Sequence, residues 1–172
     1  MSLSSTELIW GLIIAALLAG ALAVVFIRQR KEAKKGIRNN TSDVNTRQLQ
    51  LQAYERLMLL TDRIAIPNLV GRVNQPGFSA KQMHLLLTQT IRQEFDHNIT
   101  QRIYVSPESW DAVNKFKEQN LLIINQVATL LPNEATGHDL NKTLLEMIVQ
   151  NPQASLHNVV SEALSYEAKK LM

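Results

Sequence analysis

Residues 79–98 read SAKQMHLLLTQTIRQEFDHN, and the periodicity of that stretch decides the fold class. Met83, Leu86, Leu87, Thr90, Ile91 and Phe95 recur at spacings of three and four, which places them on one face of a helix. Ser79 followed three residues later by Gln82 is a capping box: the hydroxyl accepts from a free N–H of the first turn, and the amide reaches back to the cap. A helix is therefore expected from Ser79 to near Asn98 or Ile99.

The same reading extends in both directions. Upstream, Leu49, Ala53, Leu57, Leu60 and Ile64 fall on one face, giving a helix to about Ile66. Pro67 and the following NLVGRVNQPG are expected to break it. Downstream, Ile103, Tyr104 and Val105 favour an extended conformation. Ser106-Pro107 is a strong helix start, with serine as cap and proline in the first turn. That third helix runs through Trp110, Val113, Phe116, Leu121, Ile124 and Val127 to Leu131, where Pro132 stops it. PNEATGHD is a turn, and Asp139 or Thr136 caps a shorter helix carrying Leu140, Leu144 and Ile148. A last helix from about Ser155 is expected to bury Leu156, Val159, Val160, Ala163 and Leu164. About five helices make an all-α bundle, with no internal repeat and no low-complexity tract.

The N-terminal quarter has a different character. Leu8 to Ile27 carries no charge, and about 20 apolar residues at about 1.5 Å rise each match the roughly 30 Å hydrocarbon thickness of a bilayer. A cleaved signal peptide would want bases ahead of the run, and Met1 to Glu7 has none, although Ala21-Leu22-Ala23 has small-x-small character. A transmembrane helix over 8–27 is expected. Arg28, Arg30, Lys31, Lys34, Lys35 and Arg38 all follow it, against the single acid Glu32. Bases close to a span stay cytoplasmic, and they also attract anionic lipid.

The expected architecture is thus a short extracytoplasmic segment over 1–7, a transmembrane helix over 8–27, a basic juxtamembrane segment and polar linker over 28–45, and a small cytoplasmic bundle of about five helices over 46–172. The address implied is a bacterial inner membrane, with the N-terminus outside. Gly11, Ala15, Ala19 and Ala23 recur every four residues, a small-residue seam of the kind that lets helices pack closely.

Charge and composition exclude several function classes. From Thr46 to Met172 there are 12 basic and 12 acidic residues, so the bundle lacks the basic excess of a nucleic-acid binder. There is no cysteine, which removes disulfides, thiolate metal sites and cysteine nucleophiles. The six glycines form neither a phosphate loop nor a dinucleotide pattern, no serine sits in a nucleophile elbow, and His84, His97, His138 and His157 are dispersed.

Glu94-x-x-His97 is the sharpest chemical candidate, because that spacing puts a carboxylate and an imidazole on one helix face, as in di-iron bundles. Such centres need a second copy and further glutamates, and the sequence holds one copy. The plainer reading has Glu94, Asp96 and His97 at a polar helix end, with His97 well placed for the helix dipole and Arg92 and Arg102 as ion-pair partners. Tyr104 and Trp110 are candidate interface anchors, or core residues pinning the Ile103 to Trp110 elbow.

QPGFSAKQM (75–83), IRQEFDHNITQRIYVS (91–106) and WDAVNKFK (110–117), in that order after an apolar run and a basic flank, resemble a bacterial family of single-pass membrane proteins of unknown function. The resemblance implies a bacterial source and an inner-membrane address, and brings no activity, cofactor or catalytic residue with it. The resulting expectation is a membrane-anchored, non-enzymatic helical interaction or scaffold module without cofactor. Its expected contacts are membrane lipid and a protein partner or a second copy, not nucleic acid. A metal-binding or enzymatic domain using Glu94 and His97 is the alternative.

Overall fold

The computed structural model describes residues 43–150 and 156–172. Six α-helices lie within them: α1 over 43–64, α2 Ile66–Val73, α3 Ala80–His97, α4 Pro107–Leu130, α5 Gly137–Gln150 and α6 His157–Lys169, with a 3-10 helix at Ile99–Ile103 between α3 and α4. Arg47–Met172 forms one compact unit. Among the described residues the fold is all-α, and its only β pairing is a single antiparallel bridge between Ser79 and Thr136.

The expected architecture needs correction on two counts. Among the described residues no helix is long and apolar enough to cross a membrane. Length is not the obstacle: α4 has 24 residues, but Glu108, Asp111, Lys115, Lys117 and Glu118 lie along it, as on a helix with one face in water. The run Leu8 to Ile27, the Gly11, Ala15, Ala19 and Ala23 seam and the Arg28 to Arg38 cluster lie outside the described residues. Secondly, α2 is an additional helix where a break was expected. Pro67 sits in its first turn, where proline costs no hydrogen bond, and Ile66, Leu69 and Val70 are buried.

The caps legible in the sequence position α3 to α5. Ser79 Oγ accepts from Gln82 N at 3.3 Å, and Ser79 N donates to Gln82 Oε1 at 3.0 Å. Ser106 Oγ accepts from Ser109 N at 3.2 Å ahead of Pro107. Thr136 and Asp139 repeat the capping box at α5: Asp139 N donates to Thr136 Oγ1 at 3.2 Å, and Thr136 N donates to Asp139 Oδ2 at 2.9 Å. The hydrogen bonds from Thr136 hold the Asp139 carboxyl below its ordinary range. The α3 and α5 caps face each other across the bridge, with Ala80 N donating to Ala135 O at 2.9 Å and Gly137 N to Phe78 O at 2.7 Å. Each helix start therefore fixes the other, and Gly137 suits the close approach, because a Cβ there would lie 3.0 Å from the Phe78 carbonyl oxygen.

Packing follows the faces read from periodicity, with local exceptions. Leu57, Leu60 and Ile64 of α1, Met83, Leu87 and Ile91 of α3, Phe116 and Ile124 of α4, and Leu140 and Leu144 of α5 are fully buried in one core. Val160 and Leu164 bring α6 onto it. Leu49 and Val159, expected inward, are exposed. The segment after α3 is not extended: Ile103 closes the 3-10 helix and Tyr104 has helical backbone angles.

Candidate functional site

The corner between α1 and α2 leaves carbonyl groups without helical partners, and side chains take them up. Because Pro67 has no N–H, Arg63 O loses the donor four residues on. Arg72 Nη2 donates to it instead, at 3.1 Å. Asn68 Nδ2 donates to Asp62 O at 2.9 Å, and the buried Asn120 of α4 donates its Nδ2 to Ile64 O at 2.9 Å. Three consecutive end carbonyls are thus capped by side chains from α2 and α4.

Glu94 closes this corner onto α3. Arg63 Nε donates to its Oε2 at 2.9 Å and Arg63 Nη2 to its Oε1 at 2.6 Å, a two-pronged pair. Arg72 Nη1 adds a third donor to Oε1 at 3.0 Å. The hydrogen bond from Arg63 holds the Glu94 carboxyl below its ordinary range; partial burial pushes it up, and the charges of Arg63 and Arg72 push it further down. Arg63 is in turn held more firmly protonated by that bond to Glu94. A carboxylate kept ionised with three donors on its two oxygens is a structural anchor, poorly suited to give up a proton or to take a metal.

Glu94 and His97 do meet in space, as one-face spacing requires. Both line a cavity of about 300 Å³ together with Arg56, Leu59, Leu60, Arg63 and Asn98. His97 is exposed, while Asn98 turns back to cap α3, donating Nδ2 to Glu94 O at 2.9 Å. The partners of Glu94 are Arg63 and Arg72 from the corner, in place of the nearby Arg92 and Arg102. No group of three or more histidine, aspartate or glutamate side chains among the described residues is arranged to hold a metal ion. The sequence signal for this site was an arginine on either side of Pro67, an association that only the corner geometry makes visible.

Trp110 is half-buried on α4, its ring 5.0 Å from that of Phe95 at 41°, and Lys117 Nζ lies 4.1 Å from the centre of the Phe95 ring on the same helix pair. Tyr104 is half-buried and lines a separate cavity with Tyr54, Val105 and Ser106. Tyr54 fastens that elbow, accepting from Ser106 N at 3.1 Å. The remaining histidines serve different contacts: His84 Nε2 lies 2.7 Å from Asn125 Oδ1, His157 Nε2 lies 2.7 Å from Asp62 Oδ1, and His138 lines a groove between α2 and α5.

Among the described residues, an all-α bundle with capped, mutually fastened helices and a carboxylate consumed by ion pairing is the class that fold and site define. By sequence, the chain belongs to a family of unknown function, DUF7935, whose model matches residues 4–171. No curated protein and no solved structure matches it.

Proposed function

We propose that this chain acts by binding, as a non-enzymatic helical interaction module whose partner is another protein or a second copy of itself. The observation that carries the reading is the use of Glu94. The carboxylate that the Glu94-x-x-His97 spacing offers for chemistry is spent on Arg63 and Arg72, and works instead to hold three helices together. Large apolar side chains also remain at the surface, among them Leu59, Leu85, Leu122 and Leu130, the last 81% exposed.

Light scattering coupled to size exclusion, with cross-linking and mass spectrometry of a pull-down, tests the proposal. A stoichiometric partner or a defined oligomer supports it. A monodisperse monomer that carries stoichiometric transition metal in elemental analysis overturns it in favour of the metal-binding alternative at Glu94 and His97.

Placement at the cytoplasmic face of a bacterial inner membrane is proposed on sequence alone, from the six bases between Arg28 and Arg38 beside an uncharged run. Contact of that cluster with anionic lipid would weaken steeply with salt. Retention on anionic vesicles that salt does not change would remove the electrostatic contact of that cluster with the headgroups.

A further inference from the structure

The cavity of about 300 Å³ beside the Glu94 corner lies at the lower end of the range for small-molecule sites, and its charges do not balance. Arg56 and Arg63 line it from α1, Glu94 and His97 from α3. Glu94 is the one acid among the described residues that does so. Its two oxygens already take three donors from Arg63 and Arg72, two cations for one carboxylate. The acids nearest in sequence lie elsewhere: Glu55 and Asp96 do not line the cavity, and Asp62 Oδ1 is 2.7 Å from His157 Nε2.

The C-terminal ends of α1 and α3 carry partial negative charge, and the corner meets it internally. Arg72 Nη2 donates to Arg63 O, and Asn98 Nδ2 to Glu94 O. Arg56 is left over. It is exposed and makes no hydrogen bond or ion pair among the described residues, so its guanidinium donors are open to an occupant. His97, also exposed, adds a ring N–H from the α3 wall.

The apolar part of the wall is Leu59, 58% exposed. It comes three positions after Arg56 and four before Arg63, which places it between them on the helix surface. One unspent guanidinium calls for a single negative charge, and the leucine beside it calls for an apolar stem. We propose that this cavity binds a small monocarboxylate on a short apolar stem: the carboxylate pairs with Arg56 and accepts from His97, and the stem lies on Leu59. Glu94 keeps its structural role, and the site stands whether or not the chain binds a protein partner.

The test is an NMR titration of the full-length, isotope-labelled protein at matched ionic strength. The probes are butyrate, butan-1-ol, which keeps the stem and lacks the charge, and inorganic phosphate, which has charge and no stem. Butyrate is expected to shift the Arg56 Nε–H, the His97 ring and the Leu59 amide. It should bind about fivefold more tightly than butan-1-ol, the worth of a charge-assisted bond discounted for solvent, and more tightly than phosphate. Arg56→Gln, at an exposed position where folding is little affected, should bind butyrate no better than butan-1-ol. Arg92→Gln removes an exposed arginine outside the cavity and should change nothing. N-acetylglutamate methylamide carries the same group on peptide backbone and separates two sources: binding like that of butyrate supports a partner's acidic side chain as the occupant, and its exclusion supports a free acid. Equal binding of butyrate and butan-1-ol to the wild type overturns the proposal, as does phosphate binding more tightly than butyrate. So does an equal loss in Arg56→Gln and Arg92→Gln, the mark of diffuse attraction of anions to the surface.

Discussion

Glu94 and Asn141 both fasten α2 to a neighbouring helix, and they do so to opposite degrees of completeness. Glu94 accepts three hydrogen bonds from Arg63 and Arg72, and Arg72 spends its remaining reach on the carbonyl that Pro67 leaves free. Asn141 has one half of its amide satisfied by Asn74 and the other half orphaned. A completed polar network in a partly buried site rigidifies, whereas an incomplete one costs stability. The difference separates a residue that looks functional and is structural from one that is buried beside a groove with an oxygen left unpaired.

The same contrast appears in the two helical glycines, and substitution there should give the widest spread of effects. Gly137→Ala forces a Cβ to 3.0 Å from Phe78 O and 3.1 Å from Met83 Cβ, where backbone has to move. A loss of about 1–3 kcal/mol is expected, read as a lower denaturant midpoint with an unchanged slope. An unaffected midpoint would mean that the paired caps of α3 and α5 give way easily.

Glu94→Ala ranks next. Charge-assisted bonds are worth more than neutral ones, but the Arg63 and Arg72 side chains are 42% and 34% exposed, so solvent takes up part of the loss. The expected cost is about 1–2 kcal/mol in urea unfolding. Arg92→Ala, by comparison, should stay within about 0.5 kcal/mol of the wild type. Equal effects at the two positions would break the assignment of Glu94 to the corner.

On the groove side the signs change. Gly71→Ala adds a Cβ where nothing lies within 4 Å, and it should stabilise by about 0.5–1 kcal/mol through helix propensity. A destabilised Gly71→Ala would reveal a contact that the fold does not show. Asn141→Leu should change least, within about 0.5 kcal/mol, because the lost bond to Asn74 is offset by removal of an orphaned acceptor. A loss well beyond that in thermal unfolding would mean Asn141 is fully satisfied in solution.

How much of this was legible in the sequence depended on range. The Ser79 box and the Ser106-Pro107 start are local, so residue types three apart were enough to place α3 and α4. Pro67 misled because proline ends one helix and can open the next, and only the buried Ile66, Leu69 and Val70 decide for α2. The β-branched pair Ile103 and Val105 favoured extension, yet backbone turns after Asn98 hold the segment as a 3-10 helix. The partners of Glu94 were illegible for a related reason: Arg63 is 31 positions away, while Arg92 and Arg102 are near in sequence and belong to other surroundings.

Thermal unfolding of the wild type and Glu94→Gln between pH 7 and pH 3 measures directly whether Glu94 is spent on the fold. Because Arg63 holds the folded-state pKa of Glu94 below its ordinary value, its contribution is complete above the unfolded pKa of about 4.3 and is lost as pH falls through the folded value. Wild type should therefore melt higher than Glu94→Gln at pH 7, by about 3–6 °C for each kcal/mol in a unit of this size. The gap should close toward pH 3. Coincident melting curves at every pH would contradict a structural role for Glu94, and would return Glu94 and His97 to consideration as a site for chemistry.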